Sequence, residues 1–292
     1  MDIRDMMILN IFNMRPEGPG GRQIMGSCMA DIARIIEKAA PLDLAESWDN
    51  TGMLLGDEYS TVRRVLVCLD VTQAVVHEAV DSEADMIISH HPLIFQPLKN
   101  ILSSSETGSI LMQLIAHRIR LYAAHTNLDL APGGLNDELL RRLGLSSLNE
   151  DALPRIGRFP SPMTLEEFIQ HAKNRLELES IRMIPADQSP LVQTVAVASG
   201  AYQREYLPLL KEKRPDILVT GDVKYHEALE LASVGQWVMD AGHYGTEKHA
   251  ADLLMQILSR EFDMRDPSCR PVLIRSASSK DPFTAVFPFK VD

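Results

Sequence analysis

The stretch Asp85-Met-Ile-Ile-Ser-His-His-Pro-Leu-Ile-Phe95 predicts a short buried strand that ends at a pair of histidines. Its β-branched isoleucines are typical of strands, and Pro92 cannot continue the ladder of a central strand. His90 and His91 are therefore expected just beyond the carboxyl end of the strand, where open α/β sheets bind ligands. The pair is either two loop histidines that bond water and backbone, or ligands for two metal ions or for one ion and a substrate.

Two further apolar strands are predicted to end in the same kinds of residue. They lie within Leu121-Tyr-Ala-Ala-His-Thr-Asn-Leu-Asp129 and Trp237-Val-Met-Asp-Ala-Gly-His-Tyr-Gly-Thr-Glu247. Each stretch carries a histidine and a carboxylate spaced four apart, namely His125, Asp129, His243 and Glu247. Histidine and carboxylate are usual ligands of Zn, Mn, Fe and Co, so three converging strand ends predict a metal site. Glu247 alone is also explained as an acid that complements the dipole of a helix start.

Composition and charge exclude several classes of protein. The 292 residues are 45% hydrophobic and 24% charged, which is typical of a globular protein with one large or two medium domains. The net charge of -11 argues against non-specific binding to nucleic acid or anionic membranes. The apolar runs are shorter than the roughly 20 residues of a membrane span. The sequence contains no P-loop, G-x-G-x-x-G or G-x-S-x-G motif.

The three cysteines and the beginning of the chain give two more expectations. Cys28, Cys68 and Cys269 form no C-x-x-C pair, so we predict free thiols in a reducing, cytoplasmic compartment. Residues 1–28 include a breaker-rich segment and no evident signal sequence. We expect this part to be a tail without chemistry, or the result of a start codon assigned too early.

From Val65 onward the chain is predicted to alternate strands and helices in two copies. In the first copy, strands at 65–70, 86–89 and 120–124 alternate with helices, the first of which Thr72 caps. In the second copy, a capping box at Thr164-Leu-Glu-Glu167 opens a helix. It is followed by strands at 193–199, 216–220 and 236–240, and by helices near 202–213 and 224–234.

This pattern predicts an α/β fold of two related lobes, with largely parallel or mixed sheets that face a central metal-binding cleft. The strand spacing supports the repeat, because Val65 to Asp85 is 20 residues and Val195 to Asp216 is 21. We expect a first lobe of residues 29–135 plus 250–292 and a second lobe of residues 136–249. Strands at Pro271–Arg275 and Phe283–Phe287 are predicted to return to the first sheet.

The alignment of the two copies brings further candidates to the rim of the cleft. Lys224 and His226 are predicted to bind an anionic substrate or to pass a proton, and Asp222 is a further candidate for substrate binding. The alternative for this segment is a solvated helix start whose acid complements the dipole. Asp49 and Asn50 are either turn formers or side chains that orient a ligand.

Six motifs, in this order, resemble the Nif-three-like family, whose members are also called GTP cyclohydrolase I type 2 homologues or dinuclear metal centre proteins. The motifs are Trp48-Asp-Asn-Thr-Gly, Ser89-His-His-Pro-Leu-Ile-Phe, His125-Thr-Asn-Leu-Asp, Thr220-Gly-Asp-Val-Lys-Tyr-His, Gly242-His-Tyr-Gly-Thr-Glu and Asp281-Pro-Phe. The resemblance covers residues 30–292. It implies a two-lobed protomer with two divalent ions in the interlobe cleft, assembled into a toroidal homohexamer.

The resemblance also implies a ligand set, and each position matches in residue type. These ligands are His90, His91, Asp129, His243 and Glu247, with His125 close enough to be a sixth group. Glu247 is the candidate for a bridging carboxylate. Zn, Mn, Fe, Co and Ni all suit mixed nitrogen and oxygen ligands. The chain has no room for the domain that long members of the family insert between the lobes.

The function implied by the resemblance is metal-dependent hydrolysis of a small, nucleotide-like substrate. In a GTP cyclohydrolase-like reaction, water activated by the ions would attack a ring carbon of the purine, and His125 or His226 would pass protons. Two alternatives need the same ligands. One is a metal-dependent phosphoesterase, and the other is a metal-binding scaffold or regulatory interaction protein without turnover. We favour the enzyme.

Overall fold

The computed structural model describes residues 27–283, apart from 150, 151, 187 and 188, and contains two large β-sheets flanked by helices. The strands are β1 (Ser27–Cys28), β2 (Gly52–Leu55), β3 (Thr61–Val62), β4 (Arg64–Cys68), β5 (Met86–Ser89), β6 (Arg120–Ala123), β7 (Ser146–Ser147), β8 (Arg155–Thr164), β9 (Arg182–Ile184), β10 (Leu191–Ala201), β11 (Ile217–Gly221), β12 (Val238–Asp240) and β13 (Val272–Arg275). The helices are α1 (Met29–Ala39), α2 (Gln73–Asp81), α3 (Glu106–Ala116), α4 (Thr126–Leu130), α5 (Leu135–Leu143), α6 (Leu165–Arg175), α7 (Leu207–Lys213), α8 (Tyr225–Ser233), α9 (His243–Glu247) and α10 (Ala250–Asp263).

The first sheet has five strands in the order β13-β4-β5-β6-β2. Strands β13, β4, β5 and β6 are parallel, and β2 is antiparallel to β6. Helices α2 and α3 are the crossovers between the parallel strands, as the alternation of apolar strands and helices predicts. β13 lies beside β4, so the chain returns to this sheet after α10.

The second sheet has six strands in the order β7-β8-β10-β11-β12-β9. Its centre repeats the first sheet, because β10, β11 and β12 are parallel and an antiparallel strand, β9, borders β12. The two sheets differ at the other side, where β8 is antiparallel to β10. The predicted α/β fold with parallel and mixed sheets is confirmed.

Successive side chains of a strand point to opposite faces of the sheet, and in these strands both sets are apolar. Each sheet therefore carries helices on both faces. In β4, Val65 and Val67 pack against α1 and α10, whereas Leu66 and Cys68 pack against α2 and α3. The second sheet has α5 and α6 on one face and α7 and α8 on the other. Each buried valine or leucine stabilises the fold by about 1.5–3 kcal/mol, so the two cores hold the strand ends in place.

Local signals in the sequence account for most of the element boundaries. Thr72 accepts a hydrogen bond from the Val75 amide, and Thr164 forms the predicted capping box with Glu167. The helix predicted near 202–213 is instead a 3-10 turn followed by α7. Pro208 explains the difference, because proline is tolerated in the first turn of an α-helix and not inside it.

Three further expectations concern cysteines, membrane spans and the chain ends. All three cysteines are free, as predicted. No helix in residues 27–283, as far as they are described, is long and apolar enough to cross a membrane. The predicted tail up to residue 26, and residues 284–287 of the predicted last strand, lie outside the described residues.

Candidate metal centre

The candidate ligands lie where parallel strands of both sheets end. His90 and His91 follow β5, and their backbone amides bond the carbonyls of Cys68 and Leu69, at the end of β4. Asp129 lies in α4, the short helix after β6. The second sheet contributes α9, which follows β12 and begins and ends at candidate ligands. The carboxyl ends of the two sheets therefore form one site.

Six predicted residues form overlapping groups of three, and within each group one ligand atom per residue lies within 4.8 Å of the others. The groups are His90 with Asp129 and Glu247, His91 with His243 and Glu247, and His90 with His91 and His125. Because Glu247 belongs to two groups, its carboxylate links them. Nitrogen and oxygen donors at this spacing could hold a transition-metal ion.

The carboxylate of Glu247 is buried, and its two oxygens face different histidines. Oε2 lies 2.8 Å from Nε2 of His91 and 2.9 Å from Nε2 of His243. Oε1 lies 3.8 Å from Nε2 of His90. A glycine makes room for this arrangement, because a Cβ at Gly200 would be 2.2 Å from Oε1.

His90 is completely buried, and its two ring nitrogens differ in their contacts. Its Nδ1 donates a hydrogen bond to the carbonyl of Ala124 at 2.7 Å, so Nε2 carries the lone pair in the neutral ring. Nε2 has no hydrogen-bond partner among the described residues, and lies 3.7 Å from Asp129 Oδ1. Buried polar atoms in proteins are rarely without a partner. This tautomer and this position fit a metal ligand.

The other three histidines also bond an oxygen through Nδ1, and each partner is a carboxylate. The pairs are His91 with Asp70 at 2.7 Å, His243 with Asp222 at 2.9 Å and His125 with Asp49 at 2.8 Å. Such partners fix the orientation of a ligating imidazole and make its free nitrogen more basic. The surroundings of the site therefore have the composition of a metal centre.

The electrostatics of the site favour positive charge. Burial alone would raise the pKa of Glu247, but hydrogen bonds from the histidines lower it well below its usual value. Burial would lower the pKa of His91, but Asp70 and Glu247 raise it to about 10. The hydrogen bond with Glu247 outweighs burial and raises the pKa of His243 to about 9. Either protons or metal ions can supply the positive charge, and metal binding releases the protons.

The remaining predicted residues lie at different distances from this cluster. Asp222 is exposed and contacts His243. Lys224 and His226 are exposed at the start of α8, where Lys224 faces Glu227, and neither belongs to the ligand groups. The structure thus brings Asp222 to the site and leaves the other two in the arrangement of a solvated helix start.

Asp49 is more than a turn former. Its carboxylate accepts hydrogen bonds from His125 and from the amide and hydroxyl of Thr126. Burial would raise the pKa of Asp49, but these bonds lower it to about 2. Asp49 therefore stays ionised and holds both the ring of His125 and the start of α4. Asn50, its neighbour, donates a hydrogen bond to the carbonyl of Ile94.

Several residues of the site were not predicted. Asp70 follows β4, and its only signal is an acid at the end of an apolar strand. Ser199 donates a hydrogen bond to Asp129 Oδ1 at 3.2 Å, and its amide bonds Asn136. Gly200 follows with a φ of 67°. Ser199, Asn136 and Gly200 have no sequence signal, because their roles depend on contacts with residues far away in the chain.

A cavity of about 590 Å³ adjoins the cluster at Asp129. Its lining is formed by Glu46, Trp48, Thr126, Asp129, Leu130, Asn136, Leu153, Ser199, Gln203, Glu205 and Tyr206. The cavity has the size of a small-molecule site and shares a candidate metal ligand with the cluster.

The two sheets and the histidine and carboxylate cluster define a class of α/β protein with a candidate metal site at the carboxyl ends of its strands. The sequence profile of the family described as Duf34/NIF3 (NGG1p interacting factor 3) matches residues 28–278. The chain belongs to this family, which confirms the resemblance found in the sequence motifs.

Individual relatives agree in sequence and in fold. The chain is 31% identical over 262 residues to a GTP cyclohydrolase 1 type 2 homolog of Clostridium perfringens, covering 87% of this chain and 97% of the relative. It is 31% identical over 230 residues to a GTP cyclohydrolase 1 type 2 of Helicobacter pylori, covering 78% and 90%. The crystal structure of Staphylococcus aureus hypothetical protein SA1388 matches with a TM-score of 0.80 and 29% identity, covering 89% of this chain and 100% of that one.

Proposed function

We propose that this protein is a metal-dependent hydrolase that uses two divalent ions per chain. The observation that carries the proposal is the buried Nε2 of His90, which has no partner among the described residues and faces two carboxylates. A stable fold leaves such an atom unpaired only at a cost of about 1–3 kcal/mol. A metal ion would satisfy this nitrogen and both carboxylates at once.

The residues divide between two ion positions. His90 and Asp129 would hold one ion, His91 and His243 would hold the other, and Glu247 belongs to both groups. Zn, Mn, Fe, Co and Ni all suit these donors. When bound, the ions would activate water as a nucleophile at neutral pH and stabilise the charge that develops on the attacked atom.

His125 is our proposal for the group that moves protons. Its Nδ1 donates to Asp49, so Nε2 of the neutral ring is free to accept a proton. The ionised Asp49 would stabilise the resulting imidazolium, as the acid of a catalytic triad does. The centre of the His125 ring lies 5.3 Å from that of His90 and 5.4 Å from that of His91, so the proton stays close to the cluster. We assign no role to His226 or Lys224.

The proposed substrate is a small molecule related to a purine nucleotide. The relatives named GTP cyclohydrolase 1 type 2 suggest this class, and the cavity beside Asp129 supports it by its size. Hydrolysis would open the purine ring at a carbon of its five-membered part. The domain division, a cytoplasmic location and a homohexamer stay predictions from sequence and resemblance.

The first experiment is elemental analysis of untagged protein purified without chelators. We expect about two ions per wild-type chain. His90→Ala and Glu247→Ala should lose metal, whereas the exposed His77→Ala should retain it. Wild-type protein without stoichiometric metal would refute the proposal.

The second experiment separates the proposed reaction from the alternatives. Metal-loaded protein is incubated with GTP, and ring opening and phosphate release are measured in parallel. We expect metal-dependent ring opening, which His91→Ala abolishes. Phosphate release without ring opening would identify a phosphoesterase. Stoichiometric metal with neither product would favour a binding or regulatory protein.

A further inference from the structure

The cavity beside Asp129 has a charge that decides which part of a substrate it can take. Three carboxylates, those of Glu46, Asp129 and Glu205, line it, and no Lys or Arg occurs among its described lining residues. Negative charges at short range repel one another, so a phosphate chain is disfavoured in this cavity. The cavity instead suits a neutral group that donates hydrogen bonds.

Two of these carboxylates are available to a ligand. The side chains of Glu46 and Glu205 are exposed to solvent and form no ion pair or hydrogen bond with other described residues. A carboxylate has two oxygens and can accept two parallel N–H bonds from one planar ligand. Free acceptors of this kind match a heterocycle with adjacent N–H donors.

An exposed aromatic side chain lies next to the cavity, where a flat ring could stack on it. Trp48 lines the cavity and is 50% exposed. Its ring centre lies 5.7 Å from that of Phe95 and 6.2 Å from that of His125. Base-aromatic stacking contributes about 1–3 kcal/mol per base in other proteins. Because Phe95 and His125 are inclined to Trp48 by 53° and 75°, only the indole of Trp48 offers a stacking face for a flat ring in the cavity.

Tyr206, which also lines the cavity, supplies a hydrogen-bond donor. Tyr206 is almost completely buried, and burial together with the nearby carboxylates of Asp129 and Glu46 raises the pKa of its phenol. The phenol stays protonated at neutral pH and can donate to a ring carbonyl. One carbonyl acceptor beside adjacent N–H donors is the pattern of guanine.

We propose that this cavity binds the base of the substrate, and that the base is guanine or a heterocycle with the same donor and acceptor pattern. The inference rests on the proposed function, because it places the base against Asp129, a candidate metal ligand. The carboxylates accept from the six-membered ring, Trp48 stacks on it, and the five-membered ring faces the metal cluster. The sugar and phosphates lie outside the cavity.

Isothermal titration calorimetry of metal-loaded protein with nucleosides tests this inference without any turnover. Guanosine should bind although it has no phosphate. Inosine lacks the 2-amino group and should bind about tenfold more weakly, the usual cost of a lost hydrogen bond to a charged group. Equal affinity for the two nucleosides, or no binding of guanosine, would overturn the proposal.

Substitution of the cavity carboxylates tests whether guanosine binds in this cavity. At least one of Glu46→Gln and Glu205→Gln should weaken guanosine binding about tenfold and reduce the preference over inosine. Glu212→Gln removes another exposed carboxylate, on α7 and outside the cavity lining, and should change nothing. Full affinity in both cavity variants would refute the inference.

Metal content distinguishes a failure of this inference from a failure of the proposed function. Protein that holds two ions but does not discriminate guanosine from inosine refutes the base site alone. Protein that selects guanosine without holding metal refutes the hydrolase and leaves the base site in place.

Discussion

At the scale of single residues, the site is defined by the oxygen atom that each histidine bonds through Nδ1. Each of the four histidines in the cluster bonds an oxygen through Nδ1, so its Nε2 is directed to the centre of the cluster. For His91 and His243, this oxygen belongs to the carboxylates of Asp70 and Asp222. The two acids follow strands of different sheets, β4 and β11, and bond two histidines of the same ligand group.

Replacing either acid by asparagine should weaken metal binding. Asp70→Asn and Asp222→Asn keep the shape of the side chain and remove the charge that makes the imidazole basic. Loss of such a partner typically reduces metal affinity about 10–100-fold. Competition with a chromogenic chelator measures the change. Asp81→Asn, an exposed change at the end of α2, is the control and should retain wild-type affinity.

Gly200 gives a second prediction at this scale. In Gly200→Ala the new Cβ would lie 2.2 Å from Glu247 Oε1, so the carboxylate must move and metal content should fall. Gly235→Ala is a matched control, because Gly235 has a similar φ of 75° and nothing within 4 Å of an added Cβ. Both variants should lose about 1–2 kcal/mol of unfolding free energy.

For this pair, elemental analysis and urea denaturation are the measurements. Equal metal content in the two variants would show that the space beside Glu247 is not required.

At the scale of elements, two very short helices carry three of the five proposed ligands. α4 and α9 have five residues each, too few for a helix to be stable alone. Side chains around them supply the stability. For α4 these include Asp49, at its first turn, and the buried amide of Asn127, which bonds the carbonyl of Ala40 and accepts from the amide of His125.

Asn127→Ala should therefore affect both the fold and the site. It leaves buried backbone groups without partners, so we expect a loss of about 1–3 kcal/mol in unfolding free energy. Because α4 carries Asp129, metal content should fall as well. Asn149→Ala is the comparison, since Asn149 also bonds backbone groups around β8 and lies outside the ligand groups.

Denaturant unfolding and elemental analysis of both variants test this. Asn149→Ala should lose stability and keep its metal. Normal metal content in Asn127→Ala would mean that Asp129 is placed correctly without this support.

At the scale of the whole molecule, the candidate ligands join the two sheets. His90, His91 and Asp129 follow strands of the first sheet, whereas α9 follows β12 of the second. A direct contact between elements of the two sheets also reaches the site, because Ser199 of β10 donates a hydrogen bond to Asp129 of α4. An ion bound by ligands of both sheets would connect the sheets.

Metal should therefore stabilise the entire chain. Free metal at about 100 times its dissociation constant raises the unfolding free energy by about 2.7 kcal/mol when only the folded state binds. Thermal unfolding with metal and with chelator measures the difference. His91→Ala should abolish it, and His77→Ala, at an exposed position on α2, should preserve it. A metal-dependent shift that survives in His91→Ala would place the ion elsewhere.

The sequence by itself determined the elements and most of the ligand types. Short continuous apolar runs predicted strands such as β4 and β5, and the threonine caps located the starts of α2 and α6. His90 and His91 could be identified because they directly follow an apolar strand. Asp129 could be identified because it lies four residues after His125, at the end of another apolar stretch. These signals depend on neighbours in the chain, so they can be read without a structure.

The tertiary structure alone decided which of these residues meet. It separated Asp222, which contacts His243, from Lys224 and His226, which face solvent a few residues later. It also showed the roles of Gly200 and Ser199. The physical reason is the sequence separation of the residues involved. Burial, the desolvation of a carboxylate and the space beside a glycine all depend on residues that are far apart in sequence. No local pattern of side chains encodes them.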